Sequence, residues 1–176
     1  MRIHSVSIIR HPLDRVYAAY RDELPAIAAY IPDISEIKIE KRAEQGQVTE
    51  LHNVWIADRE VPAFAQKFVK PEMMRWDDYA SWDAAAYACR WTLKTRMFTE
   101  AVTCGGRNTF EDLGDGTTRL TLSGDLTIDL KHIPGVPRLL AGRLAPQVEK
   151  FIVALITPNL EKTNDALARF LDEATA

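Results

Sequence analysis

Residues 5–22, SVSIIRHPLDRVYAAYRD, change their hydrophobic period in the middle. From Arg2 to Arg10 the chain is rich in β-branched residues, Ile3, Val6, Ile8 and Ile9, and it stops at His11-Pro12. Such side chains fit a pleated strand, whereas proline ends a ladder and suits the first turn of a helix. Beyond Pro12, Leu13, Val16, Tyr17 and Tyr20 stand three or four residues apart, followed by Leu24, Ile27, Ala28 and Tyr30. That spacing predicts helix, divided by Pro25 and ended by Pro32. One strand therefore feeds a pair of short helices.

Working outward, strand signals recur. Ile37 and Ile39 lead through Glu44-Gln45-Gly46-Gln47 into Val48, Leu51, Val54, Trp55 and Ile56, which reads as a hairpin. Residues 58–71 are irregular, with Pro62 and Pro71 framing AFAQKFVK, and are open to strand, short helix or loop. Met74 to Trp82 and Tyr87 to Met97 read as strands joined near Asp83-Ala84-Ala85. In the second, Cys89, Trp91, Leu93 and Thr95 alternate with Arg90, Thr92, Lys94 and Arg96, which sets an apolar face against a basic one. Thr118 to Leu130 alternates most cleanly, with Leu120, Leu122, Gly124, Leu126, Ile128 and Leu130 on one side. It pairs with Val102–Glu111 through Gly114-Asp115-Gly116. The reading gives seven strands, six of them in an antiparallel meander. The C-terminal third returns to helical spacing: a long, amphipathic helix is predicted from Pro146 to Glu173, kinked at Pro158.

Composition sets the bounds. With 176 residues, 47% hydrophobic and 27% charged, the chain is expected to form one domain over 1–176 and to bury roughly 70% of its unfolded surface. A net charge of −3 argues against nucleic acid as a partner. No apolar run approaches the ~20 residues that cross a bilayer. RIHSVSIIRHP after Met1 lacks the apolar stretch of an export signal, and two cysteines make no disulfide framework, so a cytoplasmic address is expected.

The order strand, two short helices, six antiparallel strands and a long final helix resembles the helix-grip fold of the START-like (SRPBCC) superfamily. That superfamily includes lipid-transfer domains, pollen-allergen-like proteins and polyketide cyclases. The resemblance rests on the opening stretch above and on residues 146–171, PQVEKFIVALITPNLEKTNDALARFL. It implies an α+β fold in which a curved seven-stranded antiparallel sheet wraps a long C-terminal helix and leaves an apolar cavity between them. The expected wall is Trp55, Trp76, Trp82 and Trp91 on the strands, with Phe110, Leu126, Val148, Phe151 and Leu155. Residues 132–146 match in position the loops that gate such cavities.

Two functional classes follow from that cavity. The first is a non-enzymatic carrier or sensor of a hydrophobic small molecule, foremost a lipid, with no catalytic residues, metal or cofactor. The second is a cyclase- or aromatase-like enzyme on a polyketide or polycyclic substrate, which needs a polar group inside; His52, Glu50, Arg96 and Glu100 are its candidates. A protein-binding module is a third reading. Arg138, Arg143, Lys131 and His132 flank the apolar stretch in 132–146, which reads either as a transient membrane contact or as an ordinary packed loop. The stripe Arg90, Lys94, Arg96 reads as a solvated outer face. No histidine or cysteine grouping has metal-ligand spacing, and no nucleophile elbow or phosphate loop is present.

Overall fold

The computed structural model describes residues 1–61, 63, 66, 70, 74–96, 99–129 and 138–174, and side chains of all of these except 138–144. Strand β1 (Arg2–Ile9) is followed by helices α1 (Leu13–Asp22) and α2 (Leu24–Ile27) and a 3-10 turn, Ala28–Tyr30. Then come β2 (Ile34–Gln45), β3 (Val48–Ala57), β4 (Arg75–Asp83), β5 (Ala88–Thr95), β6 (Val102–Gly114) and β7 (Thr117–Ile128). Helix α3 runs from Arg138 to Ala174. The sheet order is β1-β7-β6-β5-β4-β3-β2, and every neighbouring pair is antiparallel. Hairpin geometry explains the meander: Gly114, Asp115 and Gly116 all take positive φ at the β6–β7 turn, so the strands turn tightly there. This is the helix-grip arrangement.

The sheet's inner face and α3 supply the core. Leu120, Leu122 and Leu126 of β7 are fully buried, as are Ile152, Leu155, Ile156 and Leu167 of α3. Helix α1 buries Val16, Tyr17, Ala19 and Tyr20 against one end of this core, as its spacing requires. His11, at the strand-to-helix junction, pairs with Asp172 near the end of α3 at 2.9 Å.

Helix α3 begins earlier than the expected start at Pro146, which lies inside it. Helix formers surround it, namely Leu139, Leu140, Ala141, Leu144 and Ala145, so the helix continues through a proline whose cost is one hydrogen bond and a local bend. The expected gating loop is therefore helical from residue 138; residues 131–137 lie outside the described residues, as do nearly all of 62–73.

Pro158 is the second interior proline. It has no N–H to offer the Ala154 carbonyl one turn back, and Arg59, just after β3, donates to that oxygen at 2.7 Å instead. Asn159 Nδ2 bonds the next carbonyl, of Leu155, at 2.7 Å, and Thr163 Oγ1 bonds that of Asn159 at 2.6 Å. The one acceptor that Pro158 frees, the Ala154 carbonyl, is thus served by a side chain. Arg59→Ala is expected to cost about 1 kcal/mol in this chain and much less where Pro158→Ala has restored the backbone donor. Urea unfolding of the two single variants and the double variant measures that coupling; equal costs in both backgrounds would disprove the substitution of one donor for the other.

Candidate functional site

The strand registers arrange the interior in cross-strand rows. Asn53 of β3 stands opposite Asp78 of β4, and Trp55 opposite Trp76. One row further, Ala80 faces Trp91 of β5, which faces Gly106 of β6 and then Gly124 of β7. Ala80, Gly106 and Gly124 are the smallest residues available, and the Trp91 indole spreads over the two glycines. A Cβ on Gly124 would lie 2.7 Å from Trp91 Cη2. The indole N–H is fixed by Asn108 Oδ1 at 3.0 Å. Sequence thus sets ring position: small residues on two strands, a hydrogen-bond acceptor on one of them.

Under Leu160 of α3 and Tyr20 of α1 this lattice leaves a cavity of about 30 Å³, lined by Trp55, Trp82 and Trp91 together with Asn53, Asp78 and Asn108. That is room for one or two water-sized groups. Its wall is aromatic, but its floor is polar. Asn53 Nδ2 donates to Asp78 Oδ2 at 3.1 Å. Among the described residues, Asn53 Oδ1, Asp78 Oδ1 and the indole nitrogens of Trp55 and Trp82 are buried with no hydrogen-bond partner.

Asp77 and Asp78 are chain neighbours on opposite faces of β4. Asp77 is held below the usual carboxylate range, chiefly by Arg96, which bonds both its oxygens at 3.0 and 3.1 Å, and also by His52 at 2.8 Å. Asp78 is pushed up to about 6 by burial, which outweighs its hydrogen bond from Asn53 and the charge of His52. Burial likewise raises the Cys89 thiol and takes Cys104 to about 12 and Tyr17 to about 12. One strand therefore carries two carboxyls of opposite character, and the one with the raised value, Asp78, is the one that faces the cavity.

Of the residues expected at the wall, Trp55, Trp82 and Trp91 line the cavity. Trp76 lies behind, stacked on Trp55 with centroids 5.7 Å apart. Phe110 belongs to an aromatic cluster with Tyr17, Tyr20 and Trp82. Leu126, Val148, Phe151 and Leu155 are buried in the core, and none of them is among the cavity's lining residues. The catalytic candidates face the other way. His52 stacks on Tyr79 at 4.6 Å and Glu50 accepts from Ser81 at 2.6 Å, both on the outer face with Arg96, while Glu100 is exposed in a 3-10 turn. Arg90, Lys94 and Arg96 are exposed. Lys131 and His132, and the side chains of Arg138 and Arg143, lie outside the described residues. Asp78 and Asn53 are absent from the residues expected at the site. A signal for the aspartate exists: alternation from Trp76 through Ala80 to Trp82 turns residue 78 inward.

Fold and site define a helix-grip protein with a small, aromatic, acid-bearing interior. The chain belongs to the family described as "Protein of unknown function (DUF2505)", whose model matches residues 4–171. Among solved structures it is similar to TTHA0849 from Thermus thermophilus, with TM-score 0.66, 20% identity and all of both chains covered. It is also similar to the Zhui aromatase/cyclase from Streptomyces sp. R1128, with TM-score 0.69, 14% identity, and 100% and 96% of the chains covered. The structure of Ara h 8.0201 matches with TM-score 0.54, 14% identity and 98% of each chain. At these identities the likeness is one of fold, and it agrees with the START-like resemblance. No curated protein matches the chain. Among the described residues no helix is long and apolar enough to cross a membrane, and no three His, Cys, Asp or Glu side chains are grouped to hold a metal.

Proposed function

We propose that the chain binds a largely aromatic small molecule by one hydrogen-bond-donating head group, which enters the cavity between the sheet and α3 and is gripped there by Asp78. The observation that carries this is the set of four unpartnered buried groups around it, on Asn53, Trp55, Asp78 and Trp82. A buried polar group left unpaired costs about 1–3 kcal/mol. A plain acyl chain satisfies none of the four, so within hydrophobic ligands the lining favours one that carries polar groups over a simple lipid.

A second reading has its own observation. A buried carboxyl that titrates near 6 can both take and give a proton at neutral pH, which favours proton-transfer catalysis of the cyclase or aromatase kind on the bound ligand. Native mass spectrometry checks the binding reading. Hydroxylated or aminated aromatic compounds are expected to form one-to-one adducts that weaken at least tenfold in Asp78→Leu, which removes the acceptor oxygens. Equal occupancy by fatty acids, indifferent to residue 78, would return the cavity to a lipid carrier.

A further inference from the structure

The polar floor of the cavity has a specific donor and acceptor count. Asp78 Oδ1 and Asn53 Oδ1 are both unpartnered acceptors, and the Asn53 Nδ2 to Asp78 Oδ2 bond holds them side by side on neighbouring strands. A ligand hydroxyl has one hydrogen to donate and can serve one of them, leaving its oxygen to an indole N–H of Trp55 or Trp82; an ammonium has three hydrogens and can serve both acceptors. Charge points the same way. Among the described residues no lysine, arginine or histidine lines the cavity and none pairs with the buried carboxylate there, whereas Asp77 one residue earlier has two such partners. An unpaired buried charge costs several kcal/mol, and a ligand cation removes that cost. The rings of Tyr20, Trp55, Trp82 and Trp91 line the same space, and aromatic faces attract cations. Its volume of about 30 Å³ admits a head group of ammonium size.

We infer that the cavity recognises a ligand bearing a protonated amine, whose ammonium pairs with the Asp78 carboxylate and the Asn53 carbonyl inside a frame of aromatic rings. This rests on the cavity being the binding site proposed above. The groups in electrostatic contact with Asp78 are Tyr20 from α1, Cys89 from β5, Cys104 from β6 and, across the sheet, His52 of β3. Burial keeps the tyrosine and both thiols neutral near pH 7, so Asp78 is the interior group that sets the response to pH.

Calorimetric titration with 2-phenylethylamine, 2-phenylethanol and 3-phenylpropionate tests it. The amine is expected to bind at least tenfold tighter than the alcohol, and the carboxylate weakest. Amine affinity is expected to fall about tenfold between pH 7 and pH 5 as Asp78 takes up its proton, and to keep that profile in His52→Gln. Asp78→Asn, a nearly isosteric change, is expected to weaken the amine about a hundredfold and to leave the alcohol within threefold. Alcohol binding equal to or tighter than amine binding, with no pH dependence, overturns the amine inference and leaves the cavity-ligand reading standing. Binding of none of the three overturns both.

Discussion

Gly106→Ala is expected to cost about 3 kcal/mol of stability, near the upper end for an overpacked core. The added methyl would overlap the Ser123 carbonyl oxygen and would lie 2.6 Å from Trp91 Cζ2 and 2.7 Å from the Gly124 Cα. Two of those three atoms are backbone of β7, so a rotamer change cannot relieve them. The remaining escape is for the Trp91 indole to lift off β6, which breaks its bond to Asn108 and drives the ring into a cavity of about 30 Å³. Gly124→Ala meets Trp91 at 2.7 Å and the Gly105 carbonyl at 2.8 Å, and is expected to cost somewhat less. Both variants should lose ligand along with stability. The check is the urea midpoint together with calorimetric binding; a Gly106→Ala chain that unfolds at the wild-type midpoint would mean that the indole does not lie on these two strands.

The second large effect concerns Asp78 and pH. Its ordinary value is 3.8 and its folded value about 6, so the folded chain holds this proton more tightly than the unfolded chain does. The stability it contributes is therefore fully present below about pH 4 and is lost as pH rises through 6. The difference between those two values corresponds to roughly 3 kcal/mol. Asp78→Asn removes the charge and keeps the shape. The variant is thus expected to be more stable than wild type by up to about 3 kcal/mol at pH 7.5, with the gap closing toward pH 4. Unfolding midpoints across that range for both proteins measure the difference, in which other titrations cancel. Parallel curves would mean that the carboxyl is solvated rather than buried. A residue whose removal stabilises the fold and whose presence shapes the cavity fits function better than structure.

Much of the fold is legible because strands announce themselves by period. The alternation of Leu120, Leu122 and Leu126, the Gly114-Asp115-Gly116 turn and the change of period at Pro12 each have one reading, and the order of elements then leaves few topologies. Pro146 reads as a helix start because proline is at home in a first turn; the helix-forming residues on its N-terminal side outweigh one lost hydrogen bond. The site is harder. Asp77-Asp78 looks like a solvated pair, and only the tryptophans at 76 and 82 show that the second aspartate points inward. Around His52 the period fails, because Asn53, Val54 and Trp55 are all buried, so the histidine's face is not readable from its neighbours. Which acid is paired and which is bare depends on Arg96, an adjacent-strand neighbour that sequence distance does not reveal.

The ring arrangement around Asp78 also makes the molecule its own optical reporter. Trp55, Trp82 and Trp91 border the same titrating carboxyl, and Trp76 is stacked behind Trp55, so all four indoles of the chain lie at or beside the cavity. Indole emission responds to nearby charge and to solvent access. Protonation of one aspartate, or arrival of one ligand, should therefore register in the intrinsic fluorescence of the unlabelled protein, with no background from tryptophans elsewhere.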